Sequence, residues 1–106
     1  VNYPEPDPGI PIVAVDLDGT IATGQWPLRG TIGKPIPDGV KALKHYAAKG
    51  YRIVVCTARP KIDEPAIWAW VQQHSLPVDA VVCAKTFAGL YIDDRSWRPP
   101  WAARPL

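Results

Sequence analysis

Net charge, cysteine and long apolar runs are all scarce in this chain. Its 106 residues carry twelve basic and ten acidic side chains, a formal charge of +2, too small a surplus to announce a polyanionic partner. No apolar stretch approaches the roughly 20 residues that span a bilayer, and the Asn, Glu and Asp near the start are unlike a signal peptide. The sequence therefore reads as soluble and cytoplasmic, without a membrane partner; because it begins at Val1 rather than Met, residues upstream are left open. The two cysteines, Cys56 and Cys83, lie in the apolar runs Ile53-Val54-Val55-Cys56 and Ala80-Val81-Val82-Cys83, which predicts buried free thiols on strands. They make a poor zinc site without nearby ligand partners, and a disulfide would need neighbouring strands of suitable geometry. There is no internal repeat.

What is present is a regular alternation of apolar segments. Apolar residues make up 47% of the chain, enough to cover a sheet with helices, and the length fits one domain over residues 1–106. Residues 1–11 are proline-rich and read as an extended arm outside the core. Ile12 to Leu17 is a short apolar run, the pattern of a strand buried on both faces of a parallel sheet. Gly19 to Pro37 is rich in Gly, Pro and Thr and predicts an irregular loop or hairpin flap. Asp38 is placed to cap a helix from Gly39 to Lys49, with Val40, Leu43, Tyr46 and Ala47 on one face and Gly50 closing the end. A second strand follows at Tyr51 to Thr57. Pro65 then opens a helix reaching His74, with Ile67, Trp70, Val71 and His74 aligned. Strands at Val78 to Cys83 and Leu90 to Asp93 complete the pattern. The alternation predicts a three-layer, Rossmann-like α/β fold with a parallel sheet of about four strands and right-handed crossovers. Residues 96–106, rich in Pro and Trp, read as a coil tail packed over the domain.

In open α/β sheets, ligands gather beyond the carboxyl ends of the strands, and four polar features fall at such ends. Asp16-Leu17-Asp18-Gly19-Thr20 leaves the first strand, Thr57-Ala58-Arg59 the second, Lys85 follows the third, and Asp93-Asp94 leaves the fourth. Two carboxylates two residues apart repel each other unless a cation or a shared proton intervenes. With Asp93 and Asp94 alongside, an all-oxygen cluster suits Mg²⁺, a hard ion that keeps several waters and binds phosphate directly. Taken singly, each feature has a bland alternative: a solvated turn for Asp16 and Asp18, a strand end for Thr57, a surface lysine for Lys85, a weak ion pair for Asp94 and Arg95.

Together and in this order, these residues resemble the four motifs of the haloacid dehalogenase-like (HAD) phosphatase superfamily. Asp16-Leu17-Asp18-Gly19-Thr20 is similar to its first motif, Thr57 after Ile53-Val54-Val55-Cys56 to its second, Lys85 to its third, and Tyr91-Ile92-Asp93-Asp94 to its acidic fourth. The resemblance implies a phosphomonoester hydrolase in which Asp16 attacks phosphorus and forms an aspartyl-phosphate. Asp18 would protonate the leaving alcohol and then activate water. Thr57 and the adjacent backbone, with Leu17, Gly19, Thr20 and Ala58 nearby, would hold phosphoryl oxygens, and Lys85 would neutralise charge on nucleophile and phosphate. Mg²⁺ would be held by Asp16, the backbone carbonyl of Asp18 and Asp93, helped by Asp94; which acid of that pair binds directly is open, with Asp93 favoured. Arg59 has two readings, a contact to the substrate or a tie for its own loop.

Many members carry a cap domain after the first motif or between the second and third, and this chain has room for neither. It resembles the capless branch, whose open site could admit a phosphorylated small molecule or a macromolecular phosphoester, or be completed by a second copy in a homo-oligomer. Trp26 in the flap is a candidate leaving-group contact. Trp97, Arg98, Trp101 and Arg104 interleave aromatic and basic residues as single-strand nucleic-acid binders do, so a nucleotide or nucleic-acid end is an alternative substrate, although a tail covering a sheet edge is the plainer explanation. A non-catalytic phosphate- or metal-binding module on the same fold is the remaining alternative. His45 and His74 lie on helices away from the strand ends and are not expected to be catalytic.

Overall fold

The computed structural model describes residues 3–23, 31–83 and 90–92. Four strands form one parallel sheet: β1 (Ile12–Asp16), β2 (Arg52–Cys56), β3 (Ala80–Val82) and β4 (Leu90–Ile92). Their order is β3-β2-β1-β4. The first strand thus lies in the interior of the sheet, paired with β2 from Ile12↔Arg52 to Asp16↔Cys56 and with β4 from Val13↔Leu90 to Val15↔Ile92. Two helices, α1 (Pro37–Ala48) and α2 (Glu64–Gln73), connect β1 to β2 and β2 to β3.

Alternation along the strands sorts the faces. Val13 and Val15 of β1 stand beside Ile53 and Val55 of β2, Val81 of β3 and Ile92 of β4. These join Leu43 and Tyr46 of α1 and Ile67, Trp70 and Val71 of α2 in one buried core. The opposite face is also closed, with Ala14 fully buried and Val54 nearly so. Both helices pack on the first face; among the described residues no helix lies on the second, so the expected three layers are two there.

Several local expectations are corrected. Asp38 does not cap α1: the cap position is Ile36, no side chain caps it, and Pro37 starts the helix. Proline has no N–H to satisfy and its φ is already helical, so it can replace a cap. The buried face of α1 is Gly39, Ala42, Leu43 and Tyr46, with Val40 and Ala47 half-buried beside it. The second helix is preceded by a 3-10 turn over Lys61–Asp63, and Ser75 leaves it in the left-handed region at φ 52°.

The arm at residues 3–11 is not loose. Tyr3 packs against the core, the Tyr46 hydroxyl donates to the Pro4 carbonyl, and Glu5 accepts from Lys49 Nζ at 2.6 Å and Tyr51 Oη at 2.9 Å. Burial of its ring environment pushes the Tyr46 hydroxyl above its ordinary pKa, while the lysine and tyrosine donors hold Glu5 below its own. The cysteines are free and half-buried rather than buried. Although β2 and β3 are neighbours, Cys56 stands opposite Val82, which leaves Cys83 one residue out of step.

Candidate active site

Asp16 is the last residue of β1, half-buried and flanked in register by Cys56 at the end of β2. Beyond it the chain turns tightly on one carbonyl: Leu17 O accepts from the amides of Thr20, Ile21 and Ala22 at 3.3, 3.1 and 3.0 Å. Gly19 lies in this turn at φ +83°, a conformation that side chains with a Cβ seldom adopt, and its N–H donates to Ala22 O at 2.8 Å. Leu17 and Thr20 are fully buried, so neither side chain is presented on the surface of the turn.

The flap grows from the same turn. Ile36 N donates to Ile21 O at 2.9 Å and Thr23 N to Lys34 O at 2.7 Å, while Lys34 N donates to Thr23 Oγ1 and Ala22 pairs antiparallel with Pro35. The Trp70 indole N–H donates to Gly33 O at 2.9 Å, fixing this hairpin neck to α2. The first turn of α1 then presses on the motif: a Cβ at Gly39 would stand 2.3 Å from the Thr20 carbonyl oxygen.

At the end of β2, Thr57 is buried at 6% exposure. Its N–H donates to Val82 O, and its hydroxyl oxygen accepts from the Arg59 N–H at 3.0 Å. A hydroxyl that accepts in this way can still donate its own proton to an incoming oxygen. Ala58, between them, is exposed.

Arg59 is the residue whose role the sequence left divided, and its side chain is 1% exposed. Nε and Nη2 grip Asp18 in a two-pronged pair, at 2.9 Å to Oδ2 and 2.7 Å to Oδ1. Nη2 also donates to Thr31 O, on the returning limb of the flap, at 2.8 Å, and Nη1 faces Asp63 Oδ2 at 3.9 Å. These bonds, those to Asp18 foremost, raise the Arg59 pKa further above its ordinary value. Planar bidentate pairing fixes direction as well as distance. Asp63, buried at the end of the 3-10 turn, was not anticipated; the only signal was its i,i+4 spacing from Arg59.

The described structure thus gathers Asp16, Leu17, Asp18, Gly19, Thr20, Thr57, Ala58 and Arg59 at the carboxyl ends of two adjacent strands. Lys85, Asp93, Asp94, Trp26 and the tail lie outside the described residues, although β4 ends at Ile92 beside Val15, one residue short of both Asp93 and Asp16. Neither His45 nor His74 belongs to this end: His45 packs its ring against Tyr3 and Tyr46, and His74 against Trp70. Among the described residues no three potential metal-ligating side chains cluster, and no helix is long and apolar enough to cross a membrane.

Strand order and site position, with no cap domain among the described residues, agree with the capless HAD-like superfamily that the motifs resembled. Residues 13–95 match the family model described as PITM 1-3, LNS2 domain, and the chain belongs to that family. It is similar to the membrane-associated phosphatidylinositol transfer protein 3 of Homo sapiens, 29% identical over 69 residues, which are 65% of this chain and 7% of that protein. The chain therefore spans only a small part of the length of that relative. Among solved structures, a conserved protein from Bacteroides thetaiotaomicron is 30% identical with a TM-score of 0.65, over 85% of this chain and 82% of that one. A protein from Vibrio cholerae is 29% identical with a TM-score of 0.61, over 90% of each.

Proposed function

We propose that the chain is a Mg²⁺-dependent phosphomonoester hydrolase that works through an aspartyl-phosphate on Asp16. The observation that carries this reading is the placement of two carboxylates with different surroundings at one strand end. Asp16 ends β1 beside β2, whereas Asp18 is held by a buried guanidinium. Two acids set apart in this way can take different roles. Family membership and the fold support phosphatase-like chemistry.

In the proposed reaction an Asp16 oxygen attacks phosphorus while the bond to the leaving oxygen breaks, and Asp18 gives that oxygen a proton. Water then attacks the aspartyl-phosphate, Asp18 takes the proton from it, and phosphate leaves with Asp16 restored. The Thr57 hydroxyl and Lys85 stabilise the equatorial oxygens as charge builds on them. The donor set fits a hard cation, because it is all oxygen: the Asp16 carboxylate, the Asp18 carbonyl, and Asp93 with Asp94. With both Asp18 carboxylate oxygens directed to Arg59, the backbone carbonyl is the Asp18 group suited to a metal. Mg²⁺ bound there supplies charge neutralisation between Asp16 and the dianionic phosphate.

The test is phosphate release from a panel of sugar, nucleotide, alkyl and oligonucleotide-end phosphates, with Mg²⁺ or with EDTA, by the wild type and Asp16→Asn. Release that requires both Mg²⁺ and Asp16 supports the reading; release that persists in Asp16→Asn overturns it. The two-pronged hold on Asp18 favours one second reading, a phosphate-binding module without turnover. Saturable phosphate binding with no release from any ester would select it.

A further inference from the structure

Arg59 follows Thr57 and Ala58 beyond the end of β2, and its geometry is that of a residue serving another residue. It is 1% exposed, and the described contacts turn it toward three protein segments. These are the turn after β1 through Asp18, the flap through the Thr31 carbonyl, and the 3-10 turn through Asp63. A guanidinium that recognises a substrate must present donors to the open site; this one presents them to Asp18 and to the returning limb of the flap.

Resting on the phosphohydrolase reading above, we propose that Arg59 is a positioning residue which fixes the direction of the Asp18 carboxylate and ties it to the backbone at Thr31. An ionised carboxylate has about four lone-pair sites, and the side-on pair with Nε and Nη2 occupies one on each oxygen. The sites that remain lie away from Arg59, so when Asp18 takes up a proton it does so on that side, and the guanidinium thereby determines where the proton is delivered. Nη2 is shared between Asp18 Oδ1 at 2.7 Å and Thr31 O at 2.8 Å, so the carboxylate and the flap limb cannot shift independently without losing a bond. The limb is itself pinned by the Trp70 indole on Gly33 O. Asp63 faces Nη1 at 3.9 Å, too far for a hydrogen bond, and adds a charge attraction on that side. The Asp18 carboxylate and the limb at residues 31–33 are therefore held as one unit through Arg59.

This assignment makes a demand that a phosphate-binding arginine does not. A misdirected Asp18 matters when the leaving oxygen needs a proton and matters little when it does not. The experiment follows single-turnover phosphoryl transfer to the enzyme from an alkyl phosphate and from p-nitrophenyl phosphate, whose leaving group departs without protonation. The proteins compared are the wild type, Arg59→Lys, Asp18→Asn, the double variant and Asp16→Asn, each with its urea midpoint. Lysine keeps the charge but not the fork. Arg59→Lys is expected to slow transfer from the alkyl ester about 10²-fold, the scale of a general-acid contribution. Its effect on the nitrophenyl ester should be at least tenfold smaller, with KM for both nearly unchanged. In the Asp18→Asn background the same change should add almost nothing, because two residues acting as one unit are not additive.

A rise in KM with an equal loss on both esters, or full additivity with Asp18→Asn, overturns the assignment and makes Arg59 a substrate ligand. Nitrophenyl transfer that survives Asp16→Asn instead defeats the underlying reading. Should Arg59→Lys fail to fold, Asp63→Asn is used, which retains Arg59 and removes the negative charge facing Nη1; it is expected to show the same preferential loss on the alkyl ester at smaller size. Equal loss on both esters there has the overturning meaning given above.

Discussion

Replacing Gly39 by alanine isolates the contact by which α1 holds the first motif in place. The added Cβ would lie 2.3 Å from the Thr20 carbonyl oxygen and 3.2 Å from the Ile21 Cα. The first distance is roughly 1 Å short of an ordinary contact, and both neighbours are backbone, so no side chain can swing aside. Relief requires α1 to move away from the turn or the turn to move toward the sheet. Overpacking of this kind costs about 1–3 kcal/mol. Against it stands about 1 kcal/mol gained by alanine over glycine inside a helix. A net loss of up to about 2 kcal/mol is expected, and for a domain near 100 residues this lowers the melting temperature by up to roughly 10 °C. Lys41→Ala, exposed on the same helix, should stay within about 0.5 kcal/mol of the wild type. Urea and thermal unfolding measure both. The same shift would move Thr20 and its turn relative to Asp16, and displacement of about 1 Å near reacting groups can cost 10²-fold in rate; kcat should therefore fall more than KM changes. A Gly39→Ala protein as stable and as active as the wild type would refute the close-approach reasoning.

Three further outcomes follow from named contacts. Tyr46→Phe removes the hydroxyl that donates to Pro4 O and should cost about 1 kcal/mol near pH 7. Because the folded protein holds this hydroxyl above its ordinary value of 10, its stabilising contribution is complete below pH 10 and declines above it. The wild type should consequently lose stability more steeply than Tyr46→Phe in urea titrations between pH 10 and 11, by up to about 1.4 kcal/mol per pH unit. Thr57→Val takes away the acceptor of the Arg59 N–H and should destabilise by about 1–3 kcal/mol and slow turnover, whereas Thr57→Ser should restore most of both. EDTA and Asp16→Asn should each abolish phosphate release from the same esters, the former reversibly on adding Mg²⁺.

The elements announced by unbroken apolar runs were readable from the sequence. Ile12–Asp16 and Arg52–Cys56 are buried by neighbours on two sides, and burial on both faces writes itself into residue type. The first motif could be placed at a strand end for the same reason. The cap of α1 misled because Asp38 has the right chemistry one step inside the helix, where Pro37 had already fixed the entry. The packed arm was obscured because proline-rich composition describes backbone preference and says nothing of the Tyr46 and Tyr51 hydroxyls waiting for Pro4 and Glu5. Arg59 was legible as a residue near the site and illegible in its direction. That direction depends on Asp18, Thr31 and Asp63, separated from it by up to 41 positions in the chain, and no local pattern carries it.

The order β3-β2-β1-β4 also divides the site by its resistance to opening. Asp16 belongs to a strand hydrogen-bonded on both sides, the kind of segment whose amides exchange only when the whole domain unfolds. Asp18, Arg59 and Thr31 belong to turns that can open by smaller, local excursions. Amide exchange should therefore protect β1 far more strongly than the flap neck, and mild denaturant should misalign the proton-handling side of the site while the nucleophile's strand is still native. Under such stress the proposed nucleophile would keep its native setting longer than the proposed acid–base group.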